Sequence, residues 1–436
     1  MDRRKFIKNT GLAAASSVVL PYILPSGRLF AASGERKADH VVFVMFGGGL
    51  RNQESVLQRY LADSQNKYHV DNLDIEGNIM PNLFTGQAPD DKIVYGLGPK
   101  GESPMAPVVS SPLQTQGVLF PEVRSEATGH YQGFVSLLQG NTLSTQGLRQ
   151  KPLHPTIFEY LRRHANEPAS KVWFIGHGIG NSTPLMNYSL HSNYGIEYGA
   201  NFFAPPTTFG DVGINSFERS KIYHPEEEMP HVYKMKYFLD NYYQNVGRRL
   251  GELGNTEEEK HEIKTFMKDL YRDRRGATVV DCAGLVMERF KPTLLAFSVF
   301  GVDTCHGDFT GYLRALHSVD NVLGQVWNKI QSIPEMKDNT VMIVCPEHGR
   351  NLDPNPIRDQ NDWYGYDHSD ANSRRIFSLM VGGRNTPKNL IVGSEGNPVG
   401  SSNDCCLTIS DILGIKNEVA SAGLVSASSK SFYDRI

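Results

Sequence analysis

Cysteine is scarce in this chain: five in 436 residues, an odd number and too few to staple a core, which excludes a disulfide-built scaffold. Tryptophan is scarcer still at 3, yet 21 Phe and 19 Tyr supply ample aromatic bulk. With 39 % hydrophobic and 21 % charged residues, the composition excludes a disordered chain, a collagen-like repeat and a coiled coil. Neither sign of charge dominates: 44 Lys and Arg against 47 Asp and Glu leave a formal net charge of −3, and no long basic run follows the first few residues. A protein held to nucleic acid by phosphate contacts needs such a basic surface, so nucleic acid is not expected as a partner. There is no internal repeat and no low-complexity tract. The length exceeds an average domain but suits one large α/β domain built around a single sheet.

The N-terminus carries Arg3-Arg4-Lys5-Phe6-Ile7-Lys8, followed by an apolar, small-residue run from Gly11 to Leu20. This order resembles a twin-arginine export signal, with an arginine pair, an aromatic residue two positions on and a lysine closing the basic region. The apolar run is too short to anchor stably in a bilayer, and Ala31-Ala32-Ser33 offers the small side chains a signal peptidase requires. Residues 1–33 therefore read as a cleaved signal and 34–436 as one domain. The expectation is export to the periplasm or cell surface in the folded state, with no stable membrane span once the signal is removed.

Apolar runs of strand length recur at 40–46, 171–175, 293–300, 340–345 and 376–381. Each is nearly continuous rather than alternating, the pattern of strands buried on both faces. Helical patterns lie between them at 156–163, 233–250, 257–274 and 279–290, and in a long segment where Leu313, Leu316, Val319, Leu323, Val326 and Ile330 recur at three- and four-residue steps. This alternation predicts a mostly parallel sheet with helices on both faces. The stretch 181–230, rich in Gly, Pro, Asn and aromatics and without a period, reads as an irregular excursion from that domain.

In a parallel sheet, ligands collect at the carboxyl ends of the strands. The 293–300 run leads into Asp303-Thr304-Cys305-His306, the 340–345 run into Glu347-His348-Gly349-Arg350, and Tyr366-Asp367-His368 lies just before the 376–381 run. Carboxylate and imidazole donors suit zinc, manganese or iron better than calcium, which takes oxygen alone. One histidine at a strand end is usually a hydrogen-bonded structural residue, whereas three such pairs at one sheet edge point to a site. Asp303, His306, Glu347, His348 and His368 are therefore the candidate metal ligands, with Asp308 near enough to assist.

The order and spacing of these segments resemble the alkaline phosphatase superfamily, and within it an exported bacterial branch marked by a glycine pair after the first strand, then D-T-H, E-F-G-R and D-H-G motifs. Here the matching residues are Phe46-Gly47-Gly48-Gly49, Asp303-Thr304-Cys305-His306, Glu347-His348-Gly349-Arg350 and Gly365-Tyr366-Asp367-His368; the likeness runs from about His40 to the end, where 406–415 is similar to the superfamily's last helix. The resemblance implies a three-layer α/β/α sandwich and a divalent metal, zinc or manganese, its number left open. It also implies hydrolysis of a phosphate or sulfate ester on a small molecule or glycan. It assigns 127–140 to the nucleophile-bearing helix, which makes Thr128 a candidate nucleophile and His130 a candidate ligand or phospho-accepting base. Thr128 as a simple N-cap is the alternative.

Two departures bear on activity. Gly47-Gly48-Gly49 stands where such enzymes place a metal-binding Asp, and His306 follows Asp303 by three residues where the usual interval is four. The first implies a single well-held metal, with a cation-activated hydroxide attacking in preference to Thr128. It also motivates a second expectation, a catalytically degenerate member serving as an exported binding or assembly component.

Other residues admit two readings each. His177 and His154 read first as loop and cap-region residues. Tyr188, Tyr194, Tyr198, Phe202, Phe203 and Phe209 form either an aromatic platform for a sugar or nucleoside, or a small core beneath the excursion. Cys305 and Cys345 are either soft-metal ligands or buried thiols, and the adjacent Cys405-Cys406 pair is poorly placed to bridge.

Overall fold

The computed structural model describes residues 22–23, 29–30, 34–59, 77–88, 105–143, 151–176, 183–205, 256–273 and 277–436. The helix expected at 233–250, His177 and Phe209 lie outside them. Strands β1 (Tyr22–Ile23) and β2 (Leu29–Phe30) form a minimal antiparallel ladder. The main sheet comprises β3 (His40–Phe46), β4 (Gly117–Arg124), β5 (Val172–Ile175), β6 (Asn201–Phe203), β7 (Leu294–Val299), β8 (Thr340–Pro346), β9 (Arg375–Gly382) and β10 (Leu390–Ile391). Their order across the sheet is β10-β4-β9-β8-β3-β7-β5-β6. All pairings are parallel except those of β9 with β4 and β8, so β9 alone runs against the rest.

The continuous apolar runs are strands covered on both faces, as expected. In β3 every residue from Val41 to Phe46 is buried. Val42, Val44 and Phe46 face one core, and Val41, Phe43 and Met45 the other. Fully burying a Val, Phe or Met side chain contributes about 1.5–3 kcal/mol, so this central strand fixes both layers at once. Helices α1 (His130–Gln139) and α2 (Ile157–His164) supply Phe134, Leu138 and Leu161 to the second core. Helices α3 (Glu257–Asp273), α4 (Val279–Phe290) and α5 (Phe309–Ser332) cover the first with Phe266, Val286 and Leu316. Finally α6 (Asp404–Ile412) and α7 (Lys416–Ser421) return to the second face with Ile409 and Val419. The architecture is thus a helix, sheet, helix sandwich around a mostly parallel eight-stranded sheet.

Three strands carry no signal in the sequence pattern. Pro121 interrupts β4, which is accommodated by a register shift between Phe120 and Val123. β6 and β10 are only three and two residues long. β6 makes part of the irregular excursion an edge strand, and its Phe202 and Phe203 are fully buried. Tyr188 is buried as well and packs beneath the Lys151 ammonium, 3.2 Å from its ring centroid, so these aromatics act as core and not as an open platform.

Candidate metal centre

The carboxyl ends of β3, β4, β7 and β8 define one sheet edge, and the chain leaves each of them into a short turn. After β3 comes Gly47-Gly48-Gly49; after β4, the approach to α1; after β7, a 3₁₀ turn, Val302–His306; after β8, Glu347 and His348. The segment ahead of β9 reaches this same edge only because β9 is reversed. In a parallel strand His368 would lie at the far edge, so strand direction decides whether a single site exists.

All five candidate ligands and His130 converge there. The donor atoms of His130, Asp303, His306 and His368 lie within 4.8 Å of one another, and so do those of His130, Glu347 and His348. Glu347 and His348 are fully buried. Asp303 and His306 keep 45 % and 39 % of their side chains exposed, so the cluster is closed on one side and open on the other.

Each histidine is oriented by a defined partner. His306 Nδ1 lies 2.7 Å from Asp367 Oδ1. His348 Nδ1 lies 2.7 Å from the Gly349 carbonyl oxygen, and His368 Nδ1 donates to the Thr128 carbonyl. These oxygens only accept, so all three rings carry their proton on Nδ1 and turn Nε2 toward the cluster. Such outer partners fix the tautomer of metal-binding imidazoles. Burial, aided by the neighbouring imidazoles, holds His348 well below its ordinary pKa and lowers His368 to about 4, which keeps both rings neutral and able to donate a lone pair. The hydrogen bond to Asp303 raises His306, with Asp367 adding to it.

The carboxylates are held as firmly. Burial would raise Asp303, but His306, His130 and Arg350 outweigh it and keep the group well below the usual carboxylate range. Arg350 is fully buried; it donates to Asp303 Oδ1 at 2.8 Å and to the carbonyls of Gly48, Gly49, Val302 and Tyr366. Its guanidinium therefore ties the glycine turn, the Asp303 turn and the His368 loop together. Glu347 Oε1 accepts from Gly48 N at 2.6 Å and faces His130 Nδ1 at 2.7 Å. Its other oxygen, Oε2, is buried with no hydrogen-bond partner among the described residues. Burial raises the Glu347 pKa. An orphaned buried carboxylate oxygen, two imidazoles held neutral and an N/O donor set together fit a divalent cation of the zinc or manganese type.

The glycine turn has no room for the carboxylate that the superfamily resemblance leads one to expect there. A Cβ on Gly47 would stand 2.5 Å from the Phe300 ring, and one on Gly49, where φ is +75°, 2.3 Å from His348 Cε1. Helix α1 approaches equally closely: a Cβ on Gly133 would lie 2.8 Å from the Glu347 carbonyl oxygen. That approach is what carries His130, the first residue of α1, into the cluster.

Several expectations need correction. Thr128 is not the N-cap of α1; Gly129 is, and no side chain caps it. Asp308 is no auxiliary ligand but the N-cap of α5, accepting from Gly311 N at 2.7 Å. Cys305, between two candidate ligands, is fully buried with its thiol pushed up to about 12 by that burial, and neither donor cluster includes a cysteine. His154 is a structural residue, bonded to the Leu424 carbonyl at 3.0 Å. The functional residues that sequence reasoning passed over are Arg350 and Asp367; both stand in the quoted motifs, but their roles depend on partners distant in sequence.

No protein-family model matches the sequence, and no curated protein matches it. Among solved structures, similar chains include a protein in the alkaline phosphatase superfamily from Vibrio parahaemolyticus, at 12 % identity and TM-score 0.44 over 95 % of this chain and 76 % of that one. The lipoteichoic acid synthase LtaP from Listeria monocytogenes is similar at 11 % identity and TM-score 0.37, over 91 % and 76 %. The PsFucS1 sulfatase from Pseudoalteromonas sp. is similar at 13 % identity and TM-score 0.42, over 90 % and 73 %. The structural neighbours of this chain thus include alkaline phosphatase superfamily members.

Proposed function

We propose that the chain is a metal-dependent hydrolase of a phosphate or sulfate ester, exported by the twin-arginine route and acting on a small molecule or glycan. The observation that carries the reading is the convergence of Asp303, His306, Glu347, His348 and His368 on His130 at one sheet edge, with three of the rings pre-set to offer Nε2. A divalent cation held by these residues supplies Lewis-acid polarisation of an ester oxygen and neutralises charge developing on it. The protein's own contributions are positional. Asp303 and His306 form the open side of the cluster, where an ester enters. Arg350 is committed to backbone carbonyls and Asp303, so it locks the ligand loops in place and is not the group that binds the anion. Helix α1 presents its N-terminus, the positive end of its dipole, to the developing negative charge, an effect worth about 0.3–1 kcal/mol in exposed cases and more when partly buried. Thr128 lies at that terminus and places its carbonyl on His368 Nδ1, so its backbone orients a candidate ligand whatever its hydroxyl does.

The test is turnover of an aryl phosphate and an aryl sulfate by protein loaded with zinc or manganese. His368→Ala is expected to abolish measurable turnover, and Thr128→Ala to cost less. Complete loss in Thr128→Ala with metal content unchanged would restore Thr128 as the attacking group. No turnover on either ester by metal-loaded protein would favour the binding or assembly role that the Gly47-Gly48-Gly49 substitution suggests.

A further inference from the structure

A second group of buried polar side chains stands behind the cluster, in the segment that follows the glycine turn. Arg51, Glu54, Tyr312 and Tyr366 are all fully buried. Arg51 Nη1 donates to Glu54 Oε1 at 2.7 Å, and the Tyr312 hydroxyl accepts from Arg51 N at 3.0 Å and donates to Glu54 Oε2 at 3.4 Å. A buried ion pair is weak evidence for stability, because desolvating two charges offsets their attraction and apolar replacements of similar volume are often neutral. What this pair supplies is direction. Arg51 Nη2 reaches the Leu352 carbonyl at 3.1 Å, and the guanidinium lies 4.1 Å from the Tyr366 ring centroid. Tyr366 immediately precedes Asp367 and His368, while Leu352 follows Asn351, whose N–H donates to the Asp367 carbonyl at 2.8 Å. Between β8 and the 3₁₀ turn Ala371–Arg374 the chain forms only one isolated bridge, Arg358 with Tyr364, so no backbone ladder of its own sets where His368 stands.

We infer that Arg51 is a positioning residue for His368, gripping the 351–368 loop at Leu352 and at Tyr366, with Glu54 as the counter-charge that keeps the guanidinium aimed. The inference rests on the metal-dependent reading of the cluster and adds to it a group outside both donor sets. Arg350 holds the Tyr366 carbonyl at 2.8 Å, so the two arginines grip that residue by its backbone and by its ring. Gln53 adds an anchor further along, in a reciprocal amide pair with Asn372, which donates to the Arg350 carbonyl at 2.7 Å. The consequence falls on the imidazole. His368 Nδ1 must meet the Thr128 carbonyl, which belongs to another part of the chain, and a loop that drifts loses that bond and frees the ring to take its other tautomer.

The experiment replaces the pair by apolar side chains, Arg51→Met together with Glu54→Leu, and reads three quantities on the folded chain: the urea midpoint, zinc affinity by competition with a chromophoric chelator, and the His368 tautomer by ¹⁵N imidazole resonance without metal, assigned by its absence in His368→Gln. The midpoint should stay near that of the wild type, zinc affinity should fall about 10–100-fold, and the single Nδ1–H tautomer should give way to a mixture. Arg51→Lys keeps a cation beside Glu54 but has no planar fork to bond Leu352 while lying flat on Tyr366, so it should show the same two losses. Wild-type tautomer in both variants, whether or not affinity falls, would overturn the positioning role. Absence of zinc binding by the wild type would end the metal-dependent reading, and the tautomer comparison would still decide the role of Arg51. Should the double variant fail to fold, Arg51→Lys carries the same readouts.

Discussion

Replacing Gly49 by alanine tests whether the turn after β3 is shaped by the cluster or is merely a tight turn. Gly49 has φ +75°, and its added Cβ would meet His348 Cε1 at 2.3 Å, His348 Nδ1 at 2.5 Å and the Gly349 carbonyl oxygen at 2.9 Å. Carbon atoms rest at about 3.5–4.0 Å, so more than an ångström must be found by moving a ring that is fully buried. Gly396 is a matched control: it has the same φ of +75° but nothing within 4 Å of its Cβ. The left-handed backbone penalty, about 1–2 kcal/mol, is common to both variants. Overpacking adds about 1–3 kcal/mol at Gly49 alone. Gly396→Ala should therefore lose about 1–2 kcal/mol and Gly49→Ala about 2–5 kcal/mol. Urea unfolding of the two variants in parallel measures the difference, and metal analysis of the same samples should show depletion only in Gly49→Ala. Equal destabilisation with equal metal content would refute the claim that His348 and the glycine turn share one packed position.

Asp367 holds the His306 ring, so Asp367→Ala should weaken metal binding about 10–100-fold, measured by competition with a chromophoric chelator; unchanged affinity would remove its orienting role. His317 donates from Nδ1 to the Ile79 carbonyl and accepts at Nε2 from Met105 N, and burial lowers its pKa from the ordinary 6.5. Its neutral form is the folded form, so its stabilising contribution is complete above about pH 6.5 and is lost as pH falls below it. His317→Gln should accordingly show a smaller drop in urea midpoint between pH 7.5 and 5.5 than the wild type, to the nearest ~0.1 M resolvable in such a titration; an identical drop would rule the group out. Replacing Arg3 and Arg4 together by lysine should leave precursor in the cytoplasm, and normal export of that variant would remove the basis for the signal assignment.

Strands β3, β7 and β8 were legible because burial on both faces demands uninterrupted apolar runs, and α4 because its apolar period is local. β4 was not, since Pro121 and Glu122 break its run and the register shift that absorbs them is a property of the pair with β9. The direction of β9 was equally hidden: its own residues, Arg375 to Gly382, read the same in either sense. The ligand types and their order were in the sequence, but the site exists only because that strand is reversed. Asp308 was misread although the signal for its true role was present, an Asp opening a helix with Gly311 in the first turn. Arg350 and Asp367 could not be assigned from spacing, because their partners Asp303 and His306 lie 47 and 61 residues away.

Anomalous diffraction from crystals of the metal-loaded protein, collected on either side of the zinc edge, tests the central claim most directly. The account predicts zinc within the cluster formed by His130, Asp303, His306, Glu347, His348 and His368. Peaks away from these side chains, or none at all in zinc-saturated crystals, would contradict it.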